Sequence, residues 1–186
     1  MRVIAGTAGG HPLKVPRSEL RPTMDVVKGA IFDSRAELIP GARVLDLFAG
    51  SGSLGIEALS RGAASAVFIE TDRRAVATIV QNLERTRLKG EVQTMDVFRY
   101  IDRCASLGGF DLIIADPPYA KQPGERDFAP ELHNNEGLRG ALAPGGIFVL
   151  EHLPGAKLKT GTSWECFRQK RYGGTEVAFL RKIGVA

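Results

Sequence analysis

Cysteine and histidine, the residues that most often form disulfides or bind metals, are scarce in this 186-residue sequence, with two and three copies respectively. Cys104 and Cys166 lie far apart, without the close spacing of a metal or redox motif, and we expect both to be buried apolar residues. The three histidines are scattered as well. We therefore predict neither a metal site nor a redox centre.

Long apolar runs are also missing. No segment approaches the roughly 20 apolar residues that a helix needs to cross a bilayer, and the opening MRVIAGTAGG lacks the apolar core of a signal peptide. We expect no membrane contact and a location in the cytoplasm. With 44% hydrophobic and 25% charged residues, the chain fits one globular domain. We predict a single domain over residues 1–186, with an N-terminal extension over 1–40 and the core over 41–186.

Charge is unevenly distributed along the chain, although the net charge of +4 is modest. Residues 1–28 carry five basic and two acidic groups, and residues 157–182 carry seven and two. The stretch between them carries thirteen basic and seventeen acidic groups. Basic ends around an acidic middle favour contact with a polyanion, because neutralised phosphates release their counterions.

Apolar runs alternate with helical patterns from residue 43 onwards. Residues 110–115 are almost continuously apolar, which is typical of a central parallel strand covered on both faces. We predict an open, mostly parallel α/β sheet with helices on both sides. The predicted strands cover 43–48, 64–70, 91–94, 110–115 and 147–151, with a closing hairpin of 164–170 and 177–180.

The segments outside these strands predict a short N-terminal pairing and several helices. Residues 2–5 and 12–15 predict a small hairpin or paired extension, and Pro22 and Thr23 can open a helix. Between the last strands, residues 120–145 predict a loop and a helix. The predicted apolar helix faces are Val27, Ala30, Ile31 and Leu38; Val76, Ile79, Val80 and Leu83 after a cap at Asp72; and Val97, Tyr100, Ile101 and Cys104.

A glycine-rich turn follows the first strand of the core. In VLDLFAGSGSLG, residues 44–55, an apolar run with Asp46 leads into Gly50, Gly52 and Gly55 and then into a helix-compatible segment. Glycines accept positive φ and admit a ligand to the backbone, and a helix start offers unpaired N–H groups. The turn predicts a nucleotide-type cofactor site. Its glycine pattern, with Glu70 twenty residues after the first glycine, also fits an NAD site.

Acidic residues fall at or near the ends of several predicted strands, where an open α/β sheet binds its ligands. LDLFAGSG and the later Asp116-Pro117-Pro118-Tyr119, or DPPY, together resemble the S-adenosylmethionine-dependent methyltransferases that act on amino groups. Acidic acceptors suit the sulfonium, amino group and ribose diol of that cofactor, whereas Asp46 would repel a pyrophosphate. The resemblance implies a cofactor site of Asp46, Phe48, Ala49, Gly50, Ser51, Gly52, Glu70, Thr71, Asp96 and Val97.

DPPY is the motif expected to lie closest to the reaction. An exocyclic amine on an aromatic base is a poor nucleophile, because its lone pair is delocalised into the ring. Such an amine must be held so that its lone pair faces the methyl group, which is catalysis by positioning. The Asp116 carboxylate and the Pro117 carbonyl could accept hydrogen bonds from its two N–H groups. Pro118 would stiffen the loop, and Tyr119 could stack on the base. We take these four residues as the predicted catalytic set.

The resemblance narrows to one family over almost the whole chain. RVIAG, LRPTMDVVKGAIFD, LDLFAGSGSLGIEALSRGA, DPPYAK, LAPGGIFVLEH and RYGGTEVAF are similar to the RsmD family, the bacterial enzymes that methylate the N2 amine of a guanine in small-subunit (16S) ribosomal RNA. It implies a Rossmann-like class I methyltransferase fold with seven strands. It also implies that Arg21 contacts substrate and Thr23 the cofactor. The implied partner is small-subunit ribosomal RNA, or the assembling small subunit, bound by a monomer.

Three alternatives stay open at this point. A DNA amino-methyltransferase would use the same chemistry. An RNA-binding protein with a vestigial cofactor site would bind nucleic acid without turnover, although the intact Asp46 and DPPY argue against it. The third alternative is an NAD-dependent oxidoreductase.

Overall fold

The strands and helices follow the predicted order. A computed structural model describes residues 1–15, 24–33, 36–106, 109–120, 122, 124–156, 158 and 163–184. The strands are β1 (Arg43–Leu47), β2 (Ser65–Glu70), β3 (Glu91–Thr94), β4 (Phe110–Ala115), β5 (Leu142–His152), β6 (Trp164–Tyr172) and β7 (Thr175–Lys182). The helices are α1 (Met24–Asp33), α2 (Ser53–Ser60), α3 (Arg73–Thr86), α4 (Val97–Cys104), α5 (Phe128–His133) and α6 (Glu136–Ala141), and Ala36–Leu38 forms a 3-10 turn. The seven-stranded, mostly parallel sheet predicted from the sequence is confirmed.

The chain divides into two compact units, residues 1–97 and 98–186. In the first unit, the parallel strands have the order β3-β2-β1. β1 and β2 pair from Arg43 opposite Ser65 to Leu47 opposite Ile69, and helices α2 and α3 make the crossovers that parallel strands require. The carboxyl ends of these strands therefore lie along one edge. The single domain over residues 1–186 stays a prediction.

The second unit contains β4, β5, β7 and β6 in that spatial order. β4 and β5 are parallel, whereas β7 is antiparallel to both β5 and β6. β5 begins five residues before the predicted start at Ile147, because a register shift between Phe110 and Leu112 on β4 accommodates a glycine turn at Gly145, where φ is 74°. The one helix predicted within 120–145 is two short helices, α5 and α6.

Two predicted apolar faces need correction. On α1, Val27 and Ile31 are buried as predicted, but Leu38 is 44% exposed, because the helix ends at Asp33 and a separate 3-10 turn leads towards a proline. On α3, Val80 is 41% exposed. The buried face of α3 passes through Ile79, Asn82 and Leu83 instead, which is the i, i+3, i+4 spacing of one helix side.

The two cysteines have different environments. Cys104 is buried as predicted, whereas Cys166 is exposed on the edge strand β6, so its predicted burial is wrong. Within the described ranges, no helix is long and apolar enough to span a bilayer. Among the same residues, no group of three His, Cys, Asp or Glu side chains is placed to hold a metal ion.

The N-terminal segment docks on α2 through hydrogen bonds to one buried glutamate. The predicted hairpin is a paired extension with an isolated bridge between Arg2 and Pro12 rather than two regular strands. The Ile4 and Ala5 N–H groups donate to the Glu57 carboxylate at 2.7 and 3.1 Å. Glu57 is fully buried. Its carboxylate thus accepts the two N–H groups that the pairing of this segment with residues 10–13 does not engage.

Two cations complete the environment of Glu57. The Arg61 Nε donates to its carboxylate at 2.7 Å, and Lys28 Nζ lies 3.8 Å from it. Lys28 is only 2% exposed and donates to the Arg2 carbonyl at 2.6 Å. Burial lowers the pKa of Lys28, and the nearby charges of Glu57 and Asp25 act against that shift. The cluster ties α1, α2 and the N-terminal segment together.

Candidate active site

The glycine-rich turn connects β1 to α2 with three residues of positive φ. These are Phe48 at 57°, Gly50 at 53° and Gly52 at 76°. Glycine tolerates such angles without strain, whereas Phe48 is a non-glycine residue whose backbone adopts the left-handed conformation. The Gly52 N–H donates to the Ala49 carbonyl at 2.7 Å, and the Ala49 N–H donates to the Ile69 carbonyl at 3.0 Å. The turn is therefore tightly wound and anchored to β2.

Packing leaves little or no room for a side chain at two of the glycines. A Cβ on Gly55 would lie 2.3 Å from the Phe68 ring, and one on Gly52 would lie 3.1 Å from Ile79. Gly55 therefore permits α2 to lie directly on the sheet, the usual role of the third glycine in this pattern. The space around Gly52 and Gly55 is filled by the protein itself.

Asp46 and Glu70 both hold backbone N–H groups of the glycine-rich turn. Asp46 is 1% exposed, and its Oδ2 accepts the Gly55 N–H at 2.8 Å. Glu70, at the end of β2, accepts the Gly50 N–H through Oε2 at 2.9 Å. Its Oε1 accepts the N–H groups of Thr71 and Asp72 at 2.7 and 2.9 Å. Two predicted cofactor residues are thus brought to one turn, and both also shape it.

The remaining cofactor candidates divide into two groups. Asp96 is exposed and directly precedes α4, whose first residue, Val97, is buried. The neighbouring Met95 N–H donates to the Glu70 carbonyl at 3.0 Å, so this corner is fixed to the end of β2. Thr23, the last cofactor candidate, and Arg21, the predicted substrate contact, lie outside the described residues.

The side chains at these strand ends suit a cationic, hydroxyl-rich cofactor. Asp46 and Glu70 are carboxylates beside the turn, and Asp96 is a third on the next strand end. Carboxylates accept hydrogen bonds from amino and hydroxyl groups and attract a sulfonium charge. The same side chains would repel a pyrophosphate, which counts against the NAD alternative. The donor and acceptor chemistry therefore fits S-adenosylmethionine.

Asn82 on α3 is a buried link to the turn that sequence reasoning missed. Its Nδ2 donates to the Ser51 carbonyl at 2.9 Å. The same amide accepts the Lys14 N–H at 2.8 Å and donates to the Lys14 carbonyl at 2.9 Å. Asn82 thereby joins the N-terminal segment to the cofactor turn. A polar residue on the apolar side of a predicted helix was the available signal.

The DPPY loop begins where β4 ends at Ala115. Asp116 and Tyr119 are partly exposed, Pro117 is buried and Pro118 is exposed. The strand thus delivers Asp116 at its carboxyl end as predicted. The prolines restrict the backbone of the loop, since each fixes its own φ.

Tyr119 is tethered through its hydroxyl to two residues that sequence reasoning did not identify. The hydroxyl donates to Glu151 Oε1 on β5 at 2.7 Å, and it lies 2.7 Å from the Thr175 hydroxyl on β7. The Thr175 hydroxyl also lies 3.0 Å from Glu151 Oε1. Glu151 and Thr175 occur in the LAPGGIFVLEH and RYGGTEVAF segments, but sequence spacing gives no sign that they meet Tyr119.

This environment keeps the Tyr119 hydroxyl protonated. Burial first, and then the negative charges of Glu151 and Asp116, raise the pKa of Tyr119 far above its ordinary value. Tyr119 therefore acts as a hydrogen-bond donor to Glu151 and not as a base. The tether fixes the position of the ring at the end of the DPPY loop.

Tyr119→Phe is expected to lower the free energy of unfolding by about 1–2 kcal/mol, because it removes the hydrogen bonds of the Tyr119 hydroxyl to the buried Glu151 and Thr175. The turnover number should fall by about tenfold as the ring loses its fixed position. Urea denaturation and steady-state kinetics measure both effects. Tyr172→Phe is the matched control, since the Tyr172 hydroxyl makes no hydrogen bond within the described part of the chain. Equal behaviour of the two variants would contradict the tether.

The strand arrangement, the acidic glycine-rich turn and the DPPY loop define a Rossmann-like class I methyltransferase that uses S-adenosylmethionine. A family model described as "Conserved hypothetical protein 95" matches residues 1–181. The chain belongs to this family, which includes ribosomal RNA small subunit methyltransferase D, as the sequence resemblance implied.

Two relatives in sequence are similar to this chain over most of their length. The protein YlbH of Bacillus subtilis is 38% identical over 99% of this chain and 100% of its own. Ribosomal RNA small subunit methyltransferase D of Escherichia coli is 37% identical over 93% of this chain and 85% of its own. Among solved structures, the Thermus thermophilus 16S rRNA N2 G1207 methyltransferase, in complex with AdoMet and guanosine, matches with a TM-score of 0.72 and 25% identity, over 89% of this chain and 44% of that one.

Proposed function

We propose that this protein transfers a methyl group from S-adenosylmethionine to the N2 amine of a guanine in small-subunit ribosomal RNA. The observation that carries the proposal is the DPPY loop with its tethered Tyr119, in a chain that matches ribosomal RNA small subunit methyltransferase D along most of its length. A guanine-specific structural neighbour supports the choice of base.

The residues of the glycine-rich turn would hold the cofactor. Asp46 and the backbone from Phe48 to Gly52 would surround its methionine portion, Glu70 would accept hydrogen bonds from its ribose, and Asp96 with Val97 would lie at its adenine. Thr71 and Thr23 complete the proposed set. When bound, S-adenosylmethionine supplies a methyl group that is activated by the positive charge of its sulfur. The acidic side chains stabilise that charge during binding.

The DPPY residues would position the amine. The Asp116 carboxylate and the Pro117 carbonyl accept hydrogen bonds from its two N–H groups. These two hydrogen bonds turn the nitrogen lone pair towards the methyl group. Tyr119 stacks on the guanine ring, and Arg21 contacts the RNA. The new N–C bond would form as the bond between the methyl group and the cofactor sulfur breaks, which leaves S-adenosylhomocysteine, and the Asp116 carboxylate could take up the proton that the amine releases. The guanine must leave its stack to reach these groups.

The proposal extends to the state of the protein in the cell. The substrate is small-subunit ribosomal RNA or the assembling small subunit, bound by a monomer in the cytoplasm. The basic segments at the two ends of the sequence neutralise RNA phosphates, and the two units act together as one methyltransferase domain.

A methyl-transfer assay tests the proposal directly. Labelled S-adenosylmethionine is supplied with unmodified small ribosomal subunits and, separately, with their naked RNA, and the product is digested to nucleosides. We expect labelled N2-methylguanosine, and the better substrate identifies free RNA or the assembled particle as the target. Label in DNA alone would support the DNA alternative. Cofactor binding without transfer to any RNA would overturn the proposal, and loss of both cofactor binding and transfer would favour the vestigial site.

A further inference from the structure

We infer that one face of the edge strand β6 binds the RNA strand that flanks the target guanine. The face consists of Arg168, Lys170 and Tyr172, which we call the β6 face. The inference rests on the proposed function, because it assumes an RNA substrate. It adds where the substrate backbone runs, and it assigns Lys170 and Arg168 to phosphates and Tyr172 to an unstacked base.

The pairing of β6 with β7 places these residues on the side of the sheet where Tyr119 is tethered. Tyr172 lies directly opposite Thr175, and Lys170 lies directly opposite Val177. Residues directly opposite each other in an antiparallel pair project from the same face. The Thr175 hydroxyl contacts the Tyr119 hydroxyl at 2.7 Å. The β6 face therefore adjoins the DPPY loop.

The cations of the β6 face are available for an anion. Within the described residues, neither Arg168 nor Lys170 lies within 4.0 Å of a carboxylate. Arg168 lies over the Phe179 ring at 5.6 Å, and Lys170 Nζ lies 5.9 Å from the Tyr172 ring. Such ring contacts orient a cation without neutralising it. Further along β7, by contrast, Arg181 is paired with Glu165 at 2.8 Å.

Tyr172 and Arg168 are close enough to influence each other. Partial burial raises the pKa of Tyr172, and the charge of Arg168 acts against that shift. A half-exposed tyrosine ring beside two cations is a typical surface for unpaired nucleotides, because bases stack on the ring while the cations neutralise the backbone. A guanine that must be unstacked for methylation has such nucleotides beside it.

Cations on an edge strand have a simpler explanation, since they prevent strands of other molecules from pairing there. That explanation predicts no difference between the two faces of β6. Arg171 provides the comparison. It is exposed between Lys170 and Tyr172, points to the opposite face and lies opposite Glu176.

Lys170→Gln is expected to raise the KM for naked small-subunit RNA about fivefold at 0.1 M salt, because one phosphate contact and its counterion release are lost. The slope of log affinity against log salt should decrease by about 0.7. The turnover number and the dissociation constant for S-adenosylmethionine should not change, and Lys170→Arg should restore the KM. Tyr172→Ala should weaken RNA binding about fivefold or more, whereas Tyr172→Phe should not.

Arg171→Gln removes the same charge from the opposite face and should change the KM less than twofold. Equal effects of Lys170→Gln and Arg171→Gln, or no effect of either, would overturn the inference. RNA binding is measured in parallel by filter retention, without turnover. If the wild-type protein methylates RNA but Lys170→Gln behaves as wild type, the inference about the β6 face is wrong and the proposed function stands. If the wild-type protein neither binds nor methylates RNA, the proposed function fails as well.

Discussion

Replacing Asp116 with alanine is expected to lower the rate of methyl transfer by at least about 100-fold while S-adenosylmethionine still binds. The carboxylate lies directly after β4, where we propose that it accepts a hydrogen bond from an N–H group of the target amine. Without it, the amine loses the contact that orients its lone pair, and this orientation is the main catalytic contribution proposed for the protein. Single-turnover transfer to RNA and calorimetric titration of the cofactor measure the two quantities separately.

Two further variants sharpen this test. Asp116→Asn keeps one acceptor oxygen in the same place and should retain more activity than Asp116→Ala. Asp102→Ala removes an exposed aspartate from α4 and should transfer methyl at the wild-type rate. Nearly normal turnover in Asp116→Ala would remove this residue from the mechanism, and a parallel loss of cofactor affinity would indicate a structural role instead.

The parallel strands β1, β2 and β4 were predictable because burial on both faces leaves a largely apolar run in the sequence. β3 and β4 have the predicted bounds, and β1 and β2 differ from prediction by a single residue at one end. Element bounds were predicted less well where they depend on strand register or where the helix is short. The early start of β5 depends on a bulge, and α5 and α6 have only six residues each, too few for a periodic pattern to stand out.

The candidate site was predictable where a motif is continuous in sequence. The sequence itself marks the three strands that carry these residues: Asp46 and Glu70 lie in the last residues of β1 and β2, and Asp116 directly follows β4. The supporting partners were not predictable. Glu151 and Thr175 come to Tyr119 from strands that are 32 and 56 residues away in sequence, and only the pairing of β5 with β7 brings them together.

The buried cluster around Glu57 should dominate the stability of the N-terminal segment. We expect Glu57→Ala to lower the free energy of unfolding by about 3–5 kcal/mol, because the change leaves the Lys28 ammonium buried without its main counter-charge. The Ile4 and Ala5 N–H groups lose their acceptor at the same time. Urea denaturation measures the loss, and Glu84→Ala, an exposed glutamate on α3, should change stability by no more than about 0.5 kcal/mol.

A double variant separates the charge from the hydrogen bonds. Without Glu57, the burial that already lowers the pKa of Lys28 is opposed mainly by Asp25, whose carboxylate lies 3.6 Å from Lys28 Nζ. Adding Lys28→Met to Glu57→Ala removes the buried cation that has lost its Glu57 counter-charge and should recover part of the lost stability, since an apolar side chain of similar length costs less to bury than a cation with only Asp25 opposite it. If the double variant is less stable than Glu57→Ala alone, the Lys28 bond to the Arg2 carbonyl, and not its charge pairing, holds the segment in place.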